Sequence, residues 1–338
     1  MKPAAIHVFA LLLLQHIVSS IPGVTQEAPP AARSPELTFR SSSNLVLVDV
    51  FARDAKNGLP DKTLLRDDFR VFDNGQPVSI KTFDTGAQST TRPFVLWFVV
   101  QCNMQDWEKE GSGLFGGQIS RFKPALKYLE KQDTVAVAHW CDDGQSKLDL
   151  QPTPNVEEAT MVLEQVLTLT PDAHQTNRPG ELALQKTLQL IVDDTRSLVP
   201  EPVPVVIFLY GDYSGMPKSE ADHFIDELLE TSAIAFGLRD QRSPRIRWLW
   251  GEQGAVANYI ASETGGEYLS VKPETYEKGL EEILEQLHFR YELGFSPEAL
   301  DGKRHKLRVE LTDAATRQHK GVRLRCRAAY VPVPEGAR

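Results

Sequence analysis

Phe94–Val100 reads FVLWFVV, an apolar run that no polar residue interrupts. Two later segments have a similar character, since Thr134–Trp140 reads TVAVAHW and Val205–Tyr210 reads VVIFLY. A strand that helices cover on both faces is apolar on both sides, so its sequence is a continuous run rather than an alternation. These three segments therefore predict the centre of a parallel β-sheet.

Helical patterns separate and follow these runs, together with shorter strand-like segments. The predicted helices cover 119–130, 156–168, 181–196, 256–262 and 276–287, and another begins at Ser219. Asn155 is the expected N-cap of the helix at 156–168, and a capping-box-like pattern opens the one at Ser219. The further strands cover 147–150, 232–238 and 268–271. Strands that alternate with helices favour a doubly wound, mostly parallel sheet with helices on both faces, and the strand at 147–150 is expected to be antiparallel. We place this α/β domain at residues 92–288.

Shorter β patterns flank the α/β domain on both sides. The predicted strands before it are 45–51, 69–72 and 78–83, with an Asn74-Gly75 hairpin turn, and those after it are 291–295, 307–311 and 322–330. The two units, at 36–88 and 289–333, are each too small to be stable alone. We therefore expect the α/β domain to be inserted between N- and C-terminal antiparallel β segments that pack together.

The N-terminus has the pattern of an export signal. Lys2 precedes an apolar stretch from Ala4 to Val18, and small residues follow at Ser19 and Ser20. We interpret 1–20 as a signal peptide and 21–35 as a proline-containing linker; the alternative is a buried N-terminal helix. The mature chain is expected to have no transmembrane segment and to be periplasmic or extracellular.

The composition narrows the classes of partner. The formal net charge is -9 at pH 7, which argues against nucleic acid and anionic membrane surfaces and suits a neutral or cationic partner or a divalent cation. Hydrophobic residues make up 41% of the chain and charged residues 25%, which is ordinary for a globular protein.

Three passages, taken in order, resemble the von Willebrand factor A-related proteins abundant in acidobacteria. They are LVLVDVFARDAKNGLPDKTLLRDDFRVFDNGQPVSI, then DTVAVAHWCDDGQSKLDL with PVVIFLYGD, and finally LEQLHFRYELGFSPEALDGKRHKLRVEL. The resemblance runs over nearly the whole mature chain. It implies a non-catalytic module that binds another protein or a surface component through loops at the carboxyl edge of its sheet.

The resemblance also implies a metal-ion-dependent adhesion site, which this sequence has rewritten. The family motif Asp-x-Ser-x-Ser becomes Gln101, Asn103 and Gln105, the threonine position falls at Glu181, and the later aspartate is matched by Asp212. These side chains offer oxygen to Mg²⁺, Mn²⁺ or Ca²⁺, but amides carry no charge, so binding is expected to be weak. Thr176 is an alternative to Glu181, and a polar loop cluster without metal is the alternative to the whole site.

Other residues at the same edge are candidates for contact with a partner. Asp106 and Trp107 lie in an acidic loop after the first strand, and Trp248 and Trp250 lie in an arginine-containing loop after the strand at 232–238. Tryptophan beside arginine is favoured at protein interfaces. The alternatives are a solvated loop in the first case and tryptophans that cover the sheet in the second.

The cysteines allow one bridge. In the sheet of the von Willebrand factor A domain, which the sequence resembles, Cys102 and Cys141 would follow neighbouring strands. They are therefore expected to form either a disulfide or two buried thiols. Cys326 is expected to be a buried, inert thiol in a strand. The spacings fit no zinc site.

Two enzymatic motifs match only in part. Gly111–Gly116 has the letters of a dinucleotide fingerprint but does not directly follow a strand, so we interpret it as a loop. Ser214, in a GDYSG sequence, lacks the spacing of a nucleophile elbow, and His139 is interpreted as a structural residue rather than its base. A scaffold without a ligand and a secreted hydrolase remain as alternative functions.

Overall fold

The apolar runs form the centre of a mixed sheet, and all the other elements are arranged around it. A computed structural model describes residues 45–85, 92–102, 125–141, 143–167, 169, 179–197, 202–210, 216–240, 256–272 and 275–332, of which 179–181 and 240 are described by their backbone only. Those from Ser42 onward belong to one compact unit.

The described strands and helices follow the alternation of the sequence. The strands are β1 (Val46–Asp54), β2 (Phe69–Asp73), β3 (Gln76–Val78), β4 (Thr82–Thr85), β5 (Phe94–Gln101), β6 (Thr134–Trp140), β7 (Ser146–Thr153), β8 (Val203–Tyr210), β9 (Ile234–Asp240), β10 (Tyr268–Val271), β11 (Tyr291–Phe295), β12 (His305–Leu311), β13 (Val322–Arg325) and β14 (Ala329–Tyr330). The helices are α1 (Val156–Leu167), α2 (Pro179–Arg196), α3 (Lys218–Glu230), α4 (Val256–Glu263), α5 (Tyr276–His288) and α6 (Asp313–Gln318), with a 3₁₀ turn at Arg66–Asp68.

The larger sheet has six strands in the order β10-β9-β8-β5-β6-β7. All neighbours are parallel except β7, which is antiparallel to β6 as predicted. The predicted architecture is confirmed: a doubly wound, mostly parallel sheet lies between antiparallel β segments.

Alternate residues of β5 enter two separate cores, one on each face of this sheet. Leu96 and Phe98 pack with α1 and α5, whereas Trp97 packs with α2, α3 and α4. All three side chains are fully buried, which explains why the residues on both faces of this strand are apolar.

The remaining strands form two four-stranded sheets, ordered β13-β1-β11-β4 and β14-β12-β2-β3. Strand β1 pairs antiparallel with β11, and β2 pairs antiparallel with β12, so each sheet joins strands from both sides of the α/β domain. Val48 and Val50 of the first sheet share a core with Val71 and Leu307 of the second. We call this pair of sheets the sandwich.

The sandwich contacts the α/β domain through the outward face of β1. The side chain of Phe51 points away from the sandwich core and packs edge-on against Phe236 of β9, with ring centroids 5.9 Å apart. Arg53 and Arg325 both bind Glu267, which precedes β10, at 2.8 and 2.5 Å. These contacts lie at the amino ends of the parallel strands, so the sandwich occupies the edge opposite the strand ends at Gln101 and Tyr210.

Some predicted elements require correction. The segment 78–83 is not one strand: β3 pairs with β2, whereas β4 pairs with β11 in the other sheet. The segment 322–330 likewise divides into β13 and β14, and Cys326 lies between them rather than in a strand; the residue as a whole is partly exposed. The capping pattern at Ser219 is not used, since α3 begins one residue earlier and has no side-chain cap.

The hairpin turn at Asn74-Gly75 and the N-cap at Asn155 agree with the sequence predictions. Asn74 and Gly75 have φ values of 48° and 84°, and a tight two-residue hairpin of type I′ needs positive φ at both positions. Asn155 accepts a hydrogen bond from the Glu158 backbone N–H at 3.2 Å and caps α1 as predicted. Among the helices that the structure describes, none is long and apolar enough to cross a membrane.

Candidate functional site

The carboxyl ends of the central strands define the candidate site. Strand β5 ends at Gln101, β6 at Trp140 and β8 at Tyr210, and because these strands are parallel their ends meet at one edge of the sheet. The chain leaves β5 towards β6 on one side and later returns to β8 on the other side. Ligands of open α/β sheets bind outside the strand ends at such a topological switch point.

Gln101 is the last residue of β5 and lies beside this switch point. It is 9% exposed and pairs in register with Trp140 of β6. Its amide supplies one oxygen acceptor and two N–H donors but no charge. At this position it can bind a ligand by hydrogen bonds or donate one neutral oxygen to a cation.

Most of the other predicted site residues lie outside the described residues. These are Asn103, Gln105, Asp106, Trp107, Asp212, Trp248 and Trp250, together with the alternatives Thr176 and Ser214. Glu181 lies near the start of α2, where only the backbone is described. Within the described ranges, no group of three or more His, Cys, Asp or Glu side chains is arranged to hold a metal ion.

A disulfide joins the ends of the two strands next to the switch point. Cys102 and Cys141 are bonded, their Cα atoms are 4.9 Å apart, and each residue is 2% exposed. The Cys102 N–H also donates to the Trp140 carbonyl at 2.9 Å, which extends the β5–β6 pairing to the bridge. The bridge therefore fixes where the chain leaves β5.

The turn after Cys141 is ordered by its own polar groups. The Cys141 N–H donates to the Gln145 carbonyl at 2.8 Å, and the Asp143 carboxylate accepts from the Gln145 backbone N–H at 3.0 Å. Gly144 has a φ of 94°, a conformation that favours glycine. This short turn leads directly into β7.

His139 forms a buried pair with a neighbouring strand. Its Nδ1 lies 2.6 Å from Oδ2 of Asp149 on β7, and both side chains are less than a tenth exposed. Thr187 of α2 donates to the His139 carbonyl at 3.1 Å. These contacts join β6, β7 and α2, which agrees with the interpretation of His139 as a structural residue.

A polar cluster that sequence reasoning missed lies at the start of α3. The Lys218 ammonium donates to both carboxylate oxygens of Asp222 at 2.9 Å and to the Tyr259 hydroxyl of α4 at 2.6 Å. Burial alone would raise the pKa of Asp222, but hydrogen bonds from Lys218 and Tyr259 outweigh it and lower that pKa. The i,i+4 spacing of Lys218 and Asp222 was the available signal, whereas nothing in the sequence placed Tyr259 beside them.

Comparison with known proteins gives similarity to solved structures alone, since no family model and no curated protein matches the chain. A von Willebrand factor type A protein from Catenulispora acidiphila is 9% identical, with 80% of this chain and 75% of that chain covered and a TM-score of 0.43. The conserved hypothetical protein BatB from Bacteroides thetaiotaomicron is 16% identical, with coverages of 58% and 97% and a TM-score of 0.38.

The von Willebrand factor domain of the type V pili tip protein Mfa5 from Porphyromonas gingivalis is 10% identical, with coverages of 59% and 96% and a TM-score of 0.38. At these identities the similarity concerns the fold, and it assigns no ligand or activity to this chain.

Proposed function

We propose that this protein is an exported, non-catalytic binding module of the acidobacterial von Willebrand factor A-related type, which docks another protein or a surface component through the carboxyl-edge loops of its α/β domain. The observation that carries this proposal is the position of Gln101, at the end of the central strand and beside the topological switch point. The disulfide next to it supports a fixed starting point for the loop that follows.

A degenerate adhesion site for a divalent cation is part of this proposal. Gln101, Asn103, Gln105, Glu181 and Asp212 supply oxygen ligands, and a carboxylate of the partner takes the open position. With two acids among five ligands, the site holds Mg²⁺, Mn²⁺ or Ca²⁺ more weakly than one built around an additional aspartate. Asp106, Trp107, Trp248 and Trp250 form the surrounding contact surface.

Thermal unfolding of the mature protein in Mg²⁺, Mn²⁺ or Ca²⁺ tests the metal. A ligand that binds only the folded state raises the melting temperature, so millimolar cation should raise it for the wild type. The variant Glu181→Ala/Asp212→Ala should lose that rise. The matched control Asp67→Ala/Glu298→Ala removes the same charges from exposed positions of the sandwich and should keep it. No shift in the wild type would overturn the metal and leave a metal-free interface.

Export is supported by the Cys102–Cys141 disulfide, because disulfides persist in oxidising compartments. We expect the full-length chain to reach the periplasm or the medium and a variant without residues 1–20 to stay in the cytoplasm. Cell fractionation with an antibody against the sandwich measures this. Equal export of both chains would contradict the signal peptide.

A further inference from the structure

A layer of buried charged side chains lies between the sandwich and the α/β domain. Asp49 of β1 and Glu292 of β11 are direct neighbours in the sheet, on the face turned away from the sandwich core. The Arg290 Nε lies 2.5 Å from the Asp49 carboxylate, and the Arg92 Nη2 lies 2.7 Å from that of Glu292. Each of these two carboxylates therefore has a guanidinium of its own.

A third guanidinium, that of Arg327, enters the same layer without a carboxylate. Two residues beyond the end of β13, the Arg327 side chain returns to β1, where its Nη2 donates to the Leu47 carbonyl at 2.6 Å. The residue is 6% exposed. Its Nε and Nη1 are buried and have no hydrogen-bond partner among the residues that the structure describes. A buried donor without an acceptor is rare in a folded protein, so these N–H groups call for one.

Arg327 also keeps its positive charge in this position. Burial lowers its pKa to about 10, while the attraction of Asp49 opposes that shift, so the guanidinium is protonated at neutral pH. Asp49 is already shared between Arg290 and Arg92, at 2.5 and 3.9 Å. Around Asp49 and Glu292, three cations thus face two carboxylates, and the cation in excess is Arg327.

The neighbouring chain does not supply the missing negative charge. Asp84 of β4 lies two strands beyond Asp49, on the side away from β13, which is roughly 9–10 Å at 4.7–4.9 Å per strand. The segments next to β1 and β4 in sequence, 41–44 and 86–91, read SSSN and GAQSTT and contain no acid. A buried charge requires both a counter-charge and hydrogen bonds. A water molecule would supply only the second, whereas a small anion would supply both.

We propose that a small inorganic anion of the size of chloride binds at the interface between the sandwich and the α/β domain, against the Nε or Nη1 of Arg327. Arg327, Asp49 and Arg290 are each less than a tenth exposed, so this closed layer suits a monatomic ion rather than a larger organic acid. The anion balances the third guanidinium and thereby stabilises the junction of the two parts. The site lies at the edge of the α/β domain opposite the carboxyl edge and is independent of the function proposed for that edge.

Thermal unfolding of the mature protein in sodium chloride and in sodium gluconate, at equal ionic strength and with EDTA present, tests the proposal. Salts also change stability in a general way, so Arg323→Met, at an exposed position of β13, is the matched control for Arg327→Met. Replacing gluconate by chloride should shift the melting temperatures of the wild type and Arg323→Met equally. That shift should exceed the shift of Arg327→Met by about 2–4 °C, because an ion bound only to the folded state stabilises it.

Crystals of the wild-type mature protein soaked in sodium bromide locate the ion directly, even where Arg327→Met fails to fold. We expect an anomalous bromide peak within hydrogen-bond distance of the Arg327 Nε or Nη1. Bromide peaks on the outer surface alone would identify an adventitious ion only and would overturn the proposal. Equal shifts between the two salts in the wild type and Arg327→Met would overturn it as well.

Discussion

At the residue scale, the most consequential contact is a buried ion pair where the chain leaves the α/β domain. The Arg290 Nε lies 2.5 Å from Oδ1 of Asp49, and the two side chains are 1% and 6% exposed. Arg290 also donates to the Leu287 carbonyl at 2.8 Å and stacks over the ring of Phe94, 4.4 Å from its centroid. These contacts join β1 of the sandwich to the end of α5 and the start of β5.

Removing one partner of this pair should be strongly destabilising. Arg290→Met removes the nearest cation of the buried Asp49 carboxylate and leaves only Arg92, 3.9 Å away, so we expect the free energy of unfolding to fall by about 3 kcal/mol. Urea denaturation measures the loss. The double variant Asp49→Asn/Arg290→Met should be less destabilised than the sum of the single variants. Arg308→Met, which removes an exposed pair, is the control and should cost about 0–1 kcal/mol.

The thiol of Cys326 should be unreactive in the folded protein. Burial raises its pKa to about 11, so little reactive thiolate exists in the folded protein near pH 8. We expect no modification by a disulfide reagent in the native state and one thiol per chain after denaturation without reductant. Rapid modification of the native protein would contradict this.

The raised pKa of Cys326 also makes the free energy of unfolding depend on pH. The unfolded thiol loses its proton first as pH rises, so the free energy of unfolding should fall between the unfolded value of 9.0 and about 11. Cys326→Ala should reduce that fall.

At the element scale, the disulfide constrains the segment between β5 and β6. The bonded cysteines are 39 positions apart, and closing a loop of this length is expected to stabilise the folded state by about 2–4 kcal/mol. Cys102→Ser/Cys141→Ser should therefore lower the denaturant midpoint by the corresponding amount. Reductant should lower the wild-type midpoint similarly and leave that of the variant unchanged. A variant as stable as the oxidised wild type would show that the bridge does not constrain the chain.

The connection between α4 and β10 depends on the absence of a side chain. A Cβ at Gly266 would lie 1.7 Å from the Ala235 carbonyl oxygen, and the clash is with backbone that cannot rotate away. Gly266→Ala should therefore cost about 3 kcal/mol or more by thermal or urea unfolding. Gly302→Ala is the control, since a Cβ there meets nothing within 4 Å and only its φ of 67° opposes alanine.

Sequence patterns predicted the larger sheet well because its four central strands, β9, β8, β5 and β6, are buried on both faces. A run such as Phe94–Val100 has few alternatives once helices flank it. The sandwich was harder, because its strands are short and a single apolar pattern at 78–83 spans two strands in different sheets. The arginine contacts could not be predicted, since Arg53 binds an acid 214 positions away and nothing local marks that partner.

The candidate site was predictable in position but only partly in content. The end of β5 follows from the apolar run, whereas Gln101, the last residue of that strand, was assigned to the site by the family resemblance alone. The cluster of Lys218, Asp222 and Tyr259 was missed because it joins the starts of two helices that are distant in sequence. The metal ligands remain a prediction.

At the scale of the whole molecule, the sandwich and the α/β domain should unfold together. Phe51 and Arg325 place an aromatic ring and a guanidinium between them, with the Arg325 guanidinium 5.0 Å from the Phe51 ring centroid. We expect one calorimetric transition for the wild type. Phe51→Ala removes the shared ring and should cost about 3–5 kcal/mol and broaden or split that transition. Phe72→Ala, on the outward face of β2, should lower the melting temperature without splitting it.

The chain enters the α/β domain near Arg92 and leaves it near Arg290. These two connections to the sandwich lie side by side, since the Arg290 guanidinium donates to the Arg92 carbonyl at 3.4 Å. Mechanical tension applied through β1 and β14 is therefore carried by the ladders of the sandwich and bypasses the inserted domain. Tension applied at the carboxyl edge instead passes through both connections at once. The α/β domain thus lies outside the covalent path that bears this tension, so the carboxyl edge of its sheet should keep its shape while the strands of the sandwich are stretched.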